Sequence, residues 1–162
     1  MPRFPSTPAT RLLRASNVEF SEHSYRYEDR GGTSVSAREL GVDEHSVVKT
    51  LIMEDENGRP LIVLMHGDLE VSTKELARQT GCKAISPCKP DIADKHSGYQ
   101  VGGTSPFGVR KAMPVYMEQT ISDLPKIYIN GGSKGFLVGM NPKDAQRVLS
   151  AVLVQVGCSR HK

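Results

Sequence analysis

A chain of 162 residues is long enough to form one domain with its own core and too short to form two. Apolar residues make up 38% of the chain and charged residues 24%, a balance that is typical of folded proteins and excludes a disordered one. The formal net charge of +3 permits an acidic partner such as RNA, but it also suits many other proteins. We expect a single domain over residues 1–162, with residues 1–7 loose.

The sequence shows no targeting or metal-site pattern. The stretch MPRFPSTPAT has prolines where a signal peptide needs an unbroken apolar run, and nowhere do eighteen apolar residues follow one another. A cytoplasmic location, away from the membrane, is therefore the default expectation. The three cysteines and five histidines lack the spacing of a zinc site, so we expect free thiols, no metal and no cofactor.

Apolar periodicity and turn residues divide the chain into helices and strands. The pattern predicts helices over residues 8–16, 34–40, 72–80 and 90–97. It predicts strands over residues 18–27, 47–53, 60–66, 113–117, 126–129 and 136–140. Between the second and third strands, Asn57 and Gly58 supply the positive φ angles that a tight hairpin turn requires. Strands interrupted by helices, with antiparallel hairpins, indicate a mixed α+β domain.

The C-terminal segment carries the most complete set of helix signals. Asn141 is placed to cap a helix, Pro142 suits its first position, and apolar residues recur at spacings of three and four from Ala145 to Val156. We therefore expect one amphipathic helix that runs from Pro142 to Val156.

Lys49 is the unusual residue of the first hairpin strand. Val47 and Leu51 share its face, and the other face is also largely apolar, so both faces look buried. A fully buried lysine is rare unless it is paired, because removing water from the ammonium group is costly. Two interpretations stay open: a functional cation in a pocket, or a side chain that reaches water over its own stem.

Two glycine clusters are candidates for a binding site. In the stretch VGGTSPFG, residues 101–108, the last four residues suit a type I turn, and the glycines at its start allow close approach to the main chain. Such a loop can direct backbone amides at an anion or a carbonyl oxygen, and a plain strand-to-turn corner is the alternative. The second cluster, residues 129–135, is either a hairpin turn or the other wall of a pocket. Neither cluster matches a nucleophile elbow or a P-loop.

Three segments together resemble a known family. They are VVKTLI, SGYQVGGTSPFG and IYINGGSKGF, at residues 47–52, 97–108 and 127–136, and they resemble the YbaK/EbsC family of aminoacyl-tRNA deacylases. That family is related to the editing domain inserted in bacterial prolyl-tRNA synthetases. The similarity covers residues 8 to 155. It implies a mixed, mostly antiparallel sheet curled into a barrel-like core with flanking helices. It also implies a cleft for the aminoacylated 3′ end of tRNA, and prolyl-tRNA synthetase as a further partner.

The resemblance also assigns roles to residues. It makes Lys49 the main functional side chain and turns Gly102 toward the bound ester, with Gly103 beside it. The substrate-binding residues that it implies are Tyr25, Gly67, Asp68, Thr104, Ser105, Asn130, Gly131 and Gly132. This chain departs from some members at Asn130, where they have serine, and at Leu137, where they have aspartate. These departures bear on the choice of amino acid more than on the reaction.

Ester hydrolysis needs stabilisation of the oxyanion that develops on the carbonyl. The backbone amides of Gly102 and Gly103 are the candidates for that task. Lys49 would place positive charge at the terminal phosphate or the 2′ oxygen of the adenosine. For a cysteinyl ester, the substrate thiol can attack its own carbonyl and leave as a cyclic thioester. An alanyl ester instead needs water and a base.

Functions from different classes stay open at this point. One is a trans-editing deacylase that clears misacylated tRNA, with Cys-tRNA(Pro) as the expected substrate. Another is a noncatalytic module that binds aminoacyl-tRNA or a synthetase, and it shares every motif with the enzyme. A general phosphate-binding protein is less favoured, because neither glycine loop opens a clear helix whose N-terminus could hold the anion.

Overall fold

The computed structural model describes residues 4–159. The α-helices in this range are α1 (Pro8–Ala15), α2 (Gly32–Leu40), α3 (Thr73–Thr80), α4 (Pro90–Ser97) and α5 (Pro142–Leu149). The strands are β1 (Phe20–Ser24), β2 (Val47–Asp55), β3 (Pro60–His66), β4 (Leu69–Val71), β5 (Ile85–Pro87), β6 (Val115–Glu118), β7 (Ile127–Ser133), β8 (Phe136–Met140), β9 (Val152–Val154) and β10 (Gly157–Ser159). With nine residues in the longest of them, the described helices are all too short to span a bilayer.

Eight strands form one mixed sheet in the order β1-β8-β7-β2-β3-β6-β9, with β5 also paired to β2. The contacts of β8 with β1 and β7, and of β2 with β3 and β5, are antiparallel, whereas β2–β7, β3–β6 and β6–β9 are parallel. Strands β4 and β10 form a separate antiparallel pair. The α+β class and the mostly antiparallel sheet are confirmed. Within residues 4–159 no pairing joins β1 to β9, so the expected closure into a barrel is not seen.

The central hairpin organises the core. All seven residues of β3 are buried, as expected for a strand covered on both faces. Because side chains alternate along a strand, Ile62 and Leu64 pack into one apolar cluster, whereas Val63 and Met65 pack into a second cluster together with Leu76 of α3. The hairpin therefore separates two parts of the core.

Local capping explains where the helices begin. Ser72 Oγ accepts a hydrogen bond from the Glu75 amide at the start of α3. Pro90 and Pro142 occupy the first turns of α4 and α5, and Asn141 Oδ1 accepts from the backbone at the start of α5. The predictions of α1, α2, α3, α4 and the main strands are confirmed to within a few residues.

The C-terminal segment is the main exception. The predicted helix to Val156 ends at Leu149, because Ser150 adopts a left-handed conformation with φ 51°. Residues Val152–Val154 then form β9, which pairs in parallel with β6. Pairing with an otherwise open sheet edge outweighed the helical spacing, and β-branched valines fit a strand well. The prediction of one helix from residue 142 to 156 was therefore wrong beyond residue 149.

The N-terminal segment also differs from expectation. Of residues 1–7, which were expected to be loose, residues 1–3 lie outside the described range. Phe4 stacks on Phe136 with ring centroids 6.1 Å apart. Thr7 is buried, and its Oγ1 donates to the Gly131 carbonyl at 2.5 Å. Phe4 and Thr7 are therefore held against β8 and β7, whereas Pro5 and Ser6 between them are exposed.

Candidate functional site

A cavity of about 800 Å³ lies beside β2, next to α2, α4 and the loop that follows α4. Among the residues that line it are five singled out from the sequence, which come from separate parts of the chain: Tyr25, Lys49, Gly102, Thr104 and Asn130. Much of the remaining wall is apolar and includes Val47, Val48, Ile52, Met53, Ala93 and Leu137. Its volume lies in the range of about 300–1,000 Å³ that is usual for small-molecule sites. The cavity can therefore hold a small molecule or one end of a larger one.

A gap in the sheet lies beside this cavity. On one edge, β3 pairs with β2 continuously from Val48 to Glu54. On the other edge, β7 pairs with β2 at Val47 and Val48, and β5 pairs with it over Met53–Asp55. Between these two pairings, the edge of β2 borders the cavity. Ligand can therefore approach both the side chains and the main chain of this stretch.

Lys49 lies in that stretch, opposite Met65 of β3. It is partly buried, as are Thr50 and Leu51, whereas Val48 and Ile52 on either side are buried. The middle of the strand is therefore more exposed than the cavity-lining residues on either side of it. This placement favours the interpretation of Lys49 as a cation that serves a pocket.

Gly102 occupies a position that requires glycine for two reasons, its backbone conformation and the space around it. It is the third residue of a turn closed by the Gly103 amide, which donates to the Gln100 carbonyl at 2.7 Å, and its φ of +95° falls in the region that side chains disfavour. A Cβ at Gly102 would also collide with the hydroxyl of Tyr27. Tyr27 itself lines the cavity and was missed in the sequence, although it alternates with Tyr25.

The two glycines of this loop differ in what their amides can do. The Gly103 amide is already used by the Gln100 carbonyl, and a Cβ there would meet the Lys134 amide nitrogen at 2.7 Å. Gly103 is therefore glycine because two loops meet, and its expected role as an oxyanion donor is not supported. Within the described residues, the amides of Gly102 and Thr104 donate to no protein group, and both residues line the cavity. These two amides are therefore available to a ligand.

Asn130 connects the two glycine clusters. Its Nδ2 donates to the Gly102 carbonyl at 3.3 Å, and its Oδ1 accepts from the amides of Gly132 at 2.6 Å and Ser133 at 3.2 Å. A bulge between Asn130 and Ser133 makes this possible, because it turns the β7 main chain toward the side chain. Asn130 therefore fixes the loop that carries Gly102.

Six of the predicted site residues do not appear among the described residues that line the cavity: Gly67, Asp68, Gly103, Ser105, Gly131 and Gly132. Ser105 is buried, and its Oγ accepts from the Phe107 amide at 3.1 Å, which stabilises the turn. Gly131 lies against the ring of Phe136, and Gly132 lies close to Tyr99. The contacts of Ser105, Gly131 and Gly132 are thus with neighbouring protein groups outside the cavity lining.

Tyr25 and Leu137 form part of one wall. Tyr25 follows the end of β1, and burial raises the pKa of its hydroxyl despite hydrogen bonds to Ser36 and Gly135 that act in the opposite direction. Leu137 is buried on β8, opposite Asn130 of β7. The wall at this point is therefore neutral and largely apolar.

The sequence did not reveal a histidine pair near the turn at Gly67. The rings of His45 and His66 stack with centroids 3.7 Å apart, and Asp68 Oδ1 lies 2.8 Å from His45 Nδ1. Burial lowers the pKa of His66. Its Nδ1 donates to the His45 carbonyl at 2.7 Å, and its Nε2 lies 2.7 Å from the Thr120 hydroxyl oxygen. Although these groups lie at metal-ligand spacing, His66 would have to give up a hydrogen bond to bind a metal.

Comparison with known families agrees with this geometry. The model of the aminoacyl-tRNA editing domain family matches residues 29–148, a range that includes Lys49, Gly102 and Asn130. The chain belongs to this family. The resemblance to the YbaK/EbsC deacylases, inferred from three short segments, is thereby confirmed.

Individual relatives support the same placement of this editing domain. A protein of Enterococcus faecalis with the provisional name Cys-tRNA(Pro)/Cys-tRNA(Cys) deacylase EbsC is 25% identical over 138 residues, 85% of this chain and 84% of the relative. The proline–tRNA ligase of Geotalea daltonii is 30% identical over 105 residues, which are 65% of this chain and 16% of the ligase. A solved structure provisionally described as a trans-editing enzyme for prolyl tRNA synthetase has a TM-score of 0.80 at 19% identity, and the match covers 96% of this chain and 100% of the other. The chain is thus an editing domain related to that of prolyl-tRNA synthetases. The match to the solved structure, at 19% identity, supports the fold alone.

Proposed function

We propose that this editing domain acts in trans as a hydrolase that removes the amino acid from misacylated tRNA, with Cys-tRNA(Pro) as its substrate. The observation that carries the proposal is that Lys49 and Gly102, from distant parts of the chain, line one cavity. The cavity volume suits the terminal adenosine with its amino acid, while the rest of the tRNA would stay outside.

Charge and hydrogen-bond donors are arranged for an ester. The amides of Gly102 and Thr104 would donate to the oxyanion that forms on the carbonyl, and one such donor is worth roughly two to three orders of magnitude in rate. Asn130 holds the Gly102 carbonyl and so keeps this loop in place. The Lys49 ammonium would attract the terminal phosphate or the 2′ oxygen and orient the ester against the loop.

The choice of a cysteinyl ester follows from the groups around the cavity. Within the described residues that line it there is no histidine; its two acidic residues, Glu28 and Asp29, are both exposed, and Glu28 is engaged by the guanidinium of Arg38. A substrate thiol needs no protein nucleophile: its sulfur bonds to the carbonyl carbon, the bond from that carbon to the ribose oxygen breaks, and the thiol proton goes to the ribose oxygen. Water then opens the cyclic thioester. Such intramolecular attack benefits from a high effective concentration.

Deacylation assays separate this enzyme from a noncatalytic binding module. We expect the wild-type protein to shorten the half-life of Cys-tRNA(Pro), and to act far less on Ala-tRNA(Pro) and Pro-tRNA(Pro). Lys49→Ala should slow the reaction about 100-fold or more, since a preorganised charge is lost. Lys143→Ala is the matched control, because this exposed lysine lies on α5 and should leave the rate unchanged.

If the wild-type protein leaves all three half-lives unchanged, the enzyme proposal is wrong. Fluorescence anisotropy with the same charged tRNAs then tests the binding module. Tight binding without hydrolysis would support that alternative.

A further inference from the structure

The gap in the sheet beside Thr50 leaves its main chain facing the cavity. Backbone polar groups of successive residues in a strand point to opposite edges. The Ile52 carbonyl points to the edge of β2 that contains the gap, because it accepts from the Cys88 amide at 3.1 Å. The Val47 carbonyl points to the opposite edge, which faces β3, because it accepts from the Gly67 amide at 2.7 Å. Thr50 lies two residues before Ile52 in β2, so its carbonyl and amide point to the same edge as those of Ile52, toward the gap.

The side chain of Thr50 gives a second, independent observation. Its Oγ1 is buried and has no hydrogen-bond partner within the described part of the chain. Buried hydroxyls are normally hydrogen-bonded, because leaving one unpaired is unfavourable. Thr50 lines the cavity, so a ligand there is the group that can complete this hydroxyl.

The other polar groups of the cavity indicate which group of an aminoacyl ester Thr50 would bind. Lys49 and the amides of Gly102 and Thr104 are donors, and they suit the phosphate and the ester carbonyl. The α-ammonium group of an aminoacyl ester needs acceptors instead, and Thr50 offers two, its carbonyl oxygen and Oγ1. The two acidic residues in the lining, Glu28 and Asp29, are both exposed, and Glu28 is already paired with Arg38.

We propose that Thr50 is a substrate-binding residue whose carbonyl oxygen and Oγ1 accept hydrogen bonds from the α-ammonium group of the aminoacyl ester. This inference rests on the proposed function, since it assumes an aminoacyl group in the cavity. It makes Thr50 the residue that distinguishes an aminoacyl ester from an ester without an amino group.

Binding of a stable substrate analogue tests the inference without hydrolysis. The probe is 3′-amino-3′-deoxyadenosine carrying a cysteinyl group in amide linkage, and the second probe is the same compound without the α-amino group. Thr50→Val, which is close in shape, should bind the first probe about tenfold more weakly and the second as the wild type does. Thr50→Ser keeps the hydroxyl and should behave like the wild type with both probes.

Thermal unfolding adds a readout that separates binding from folding. Because Thr50 Oγ1 is unpartnered, Thr50→Val should leave the Tm unchanged or raise it while it weakens binding. Ser122→Ala is the matched control: Ser122 Oγ is also buried without a partner in the described residues, but Ser122 is not among the described lining residues. Ser122→Ala should leave the affinity for both probes unchanged. Its Tm should equal that of the wild type or lie slightly above it.

Each other outcome overturns the inference. It fails if Thr50→Val binds the first probe as tightly as the wild type, if both probes weaken equally with a lower Tm, or if the wild type binds neither. The proposed function is judged separately by hydrolysis. A protein that deacylates no tRNA but still distinguishes the two probes through Thr50 would retain this site and lose the enzyme proposal.

Discussion

Asn130 Nδ2 donates to the carbonyl of Gly102 at 3.3 Å, so a side chain of β7 holds the main chain of the loop that borders the cavity. The same side chain accepts from the amides of Gly132 and Ser133 through Oδ1. Three main-chain groups, in the Gly102 loop and in the second glycine cluster, are therefore hydrogen-bonded to the one side-chain amide of Asn130. The Gly102 carbonyl is thus held from outside its own loop.

Replacing Asn130 should affect both stability and catalysis. Asn130→Ala leaves these three groups without their partner, and we expect the free energy of unfolding to fall by about 1–3 kcal/mol. The deacylation rate should fall as well, because the Gly102 loop is less well held. Asn130→Asp keeps the two bonds from Gly132 and Ser133 and loses the bond to Gly102, whose carbonyl oxygen its carboxylate repels. Because one contact is disrupted and two remain, it should still be milder than Asn130→Ala in urea denaturation. Equal stability of the wild type and Asn130→Ala would show that this link contributes nothing.

Gly102 should be far less tolerant of a side chain than Gly58. Both have positive φ, +95° and +74°, so alanine is strained at either position. A Cβ at Gly58 meets open space, and Gly58→Ala should cost about 1 kcal/mol of unfolding free energy. Gly102→Ala should cost more because its Cβ collides with the Tyr27 hydroxyl.

A second substitution tests that explanation. Tyr27→Phe removes the hydroxyl, so it should restore part of the stability lost in Gly102→Ala but none of that lost in Gly58→Ala. Urea denaturation of the single and double variants measures this coupling. Additive effects of Gly102→Ala and Tyr27→Phe would contradict the collision.

The parts of this structure that the sequence predicted are those with local causes. Pro90 begins α4, Gly98 ends it in a left-handed conformation, and the predicted bounds of this helix are the observed ones. The family resemblance indicated that Lys49 and Gly102 belong to one site, and they line one cavity. Here a local or family signal was sufficient.

The parts that could not be predicted depend on contacts between distant segments. Nothing near Gly103 in sequence shows that Gln100 takes its amide and that Lys134 lies against it. Residues 152–154 became a strand because the edge of β6 was open to them. The gap beside Thr50 likewise arises because β7 and β5 both leave β2, and neither strand carries a sequence mark of where it does so.

Cys88 should be almost unreactive although it lines the cavity. Burial, together with a hydrogen bond to Glu54 and the negative charge of that residue, raises the pKa of Cys88 to about 12. At pH 8 the thiolate fraction is then roughly 10⁻⁴, and alkylation should be roughly 10³-fold slower than for an ordinary thiol of pKa about 8.5. Iodoacetamide labelling followed by peptide mass spectrometry measures the rate, with the urea-unfolded protein as control.

The Glu54→Gln variant checks the causes of this shift. It should speed the labelling of Cys88 only in part, because burial is the larger cause and remains. A native Cys88 that is labelled as fast as in the unfolded chain would contradict the shift. It would also reopen the possibility of a protein thiol as the attacking group.

His66 should make the protein less stable in mild acid. Burial is the main cause that lowers the pKa of His66 below its usual 6.5, and the nearby His45 acts in the same direction, whereas the hydrogen bond to the His45 carbonyl opposes it. The unfolded chain therefore takes up a proton near pH 6.5 that the folded protein does not. The unfolding free energy should thus fall as the pH drops below about 6.5, by at most about 1.4 kcal/mol per pH unit for one proton. Above that pH this group should have no effect.

Comparison of variants isolates this contribution. His66→Gln should be less stable at every pH, because it loses buried hydrogen bonds to His45 and Thr120, but its stability should depend less on pH than that of the wild type. His23 also has a lowered pKa, caused by burial and then by Lys126, so His23→Gln should remove a separate share of the slope. Urea denaturation at intervals from pH 7.5 to pH 5 gives the slope for each protein. Parallel curves for the wild type and His66→Gln would mean that the folded protein accepts the proton at His66, and that its hydrogen bonds to His45 and Thr120 survive protonation.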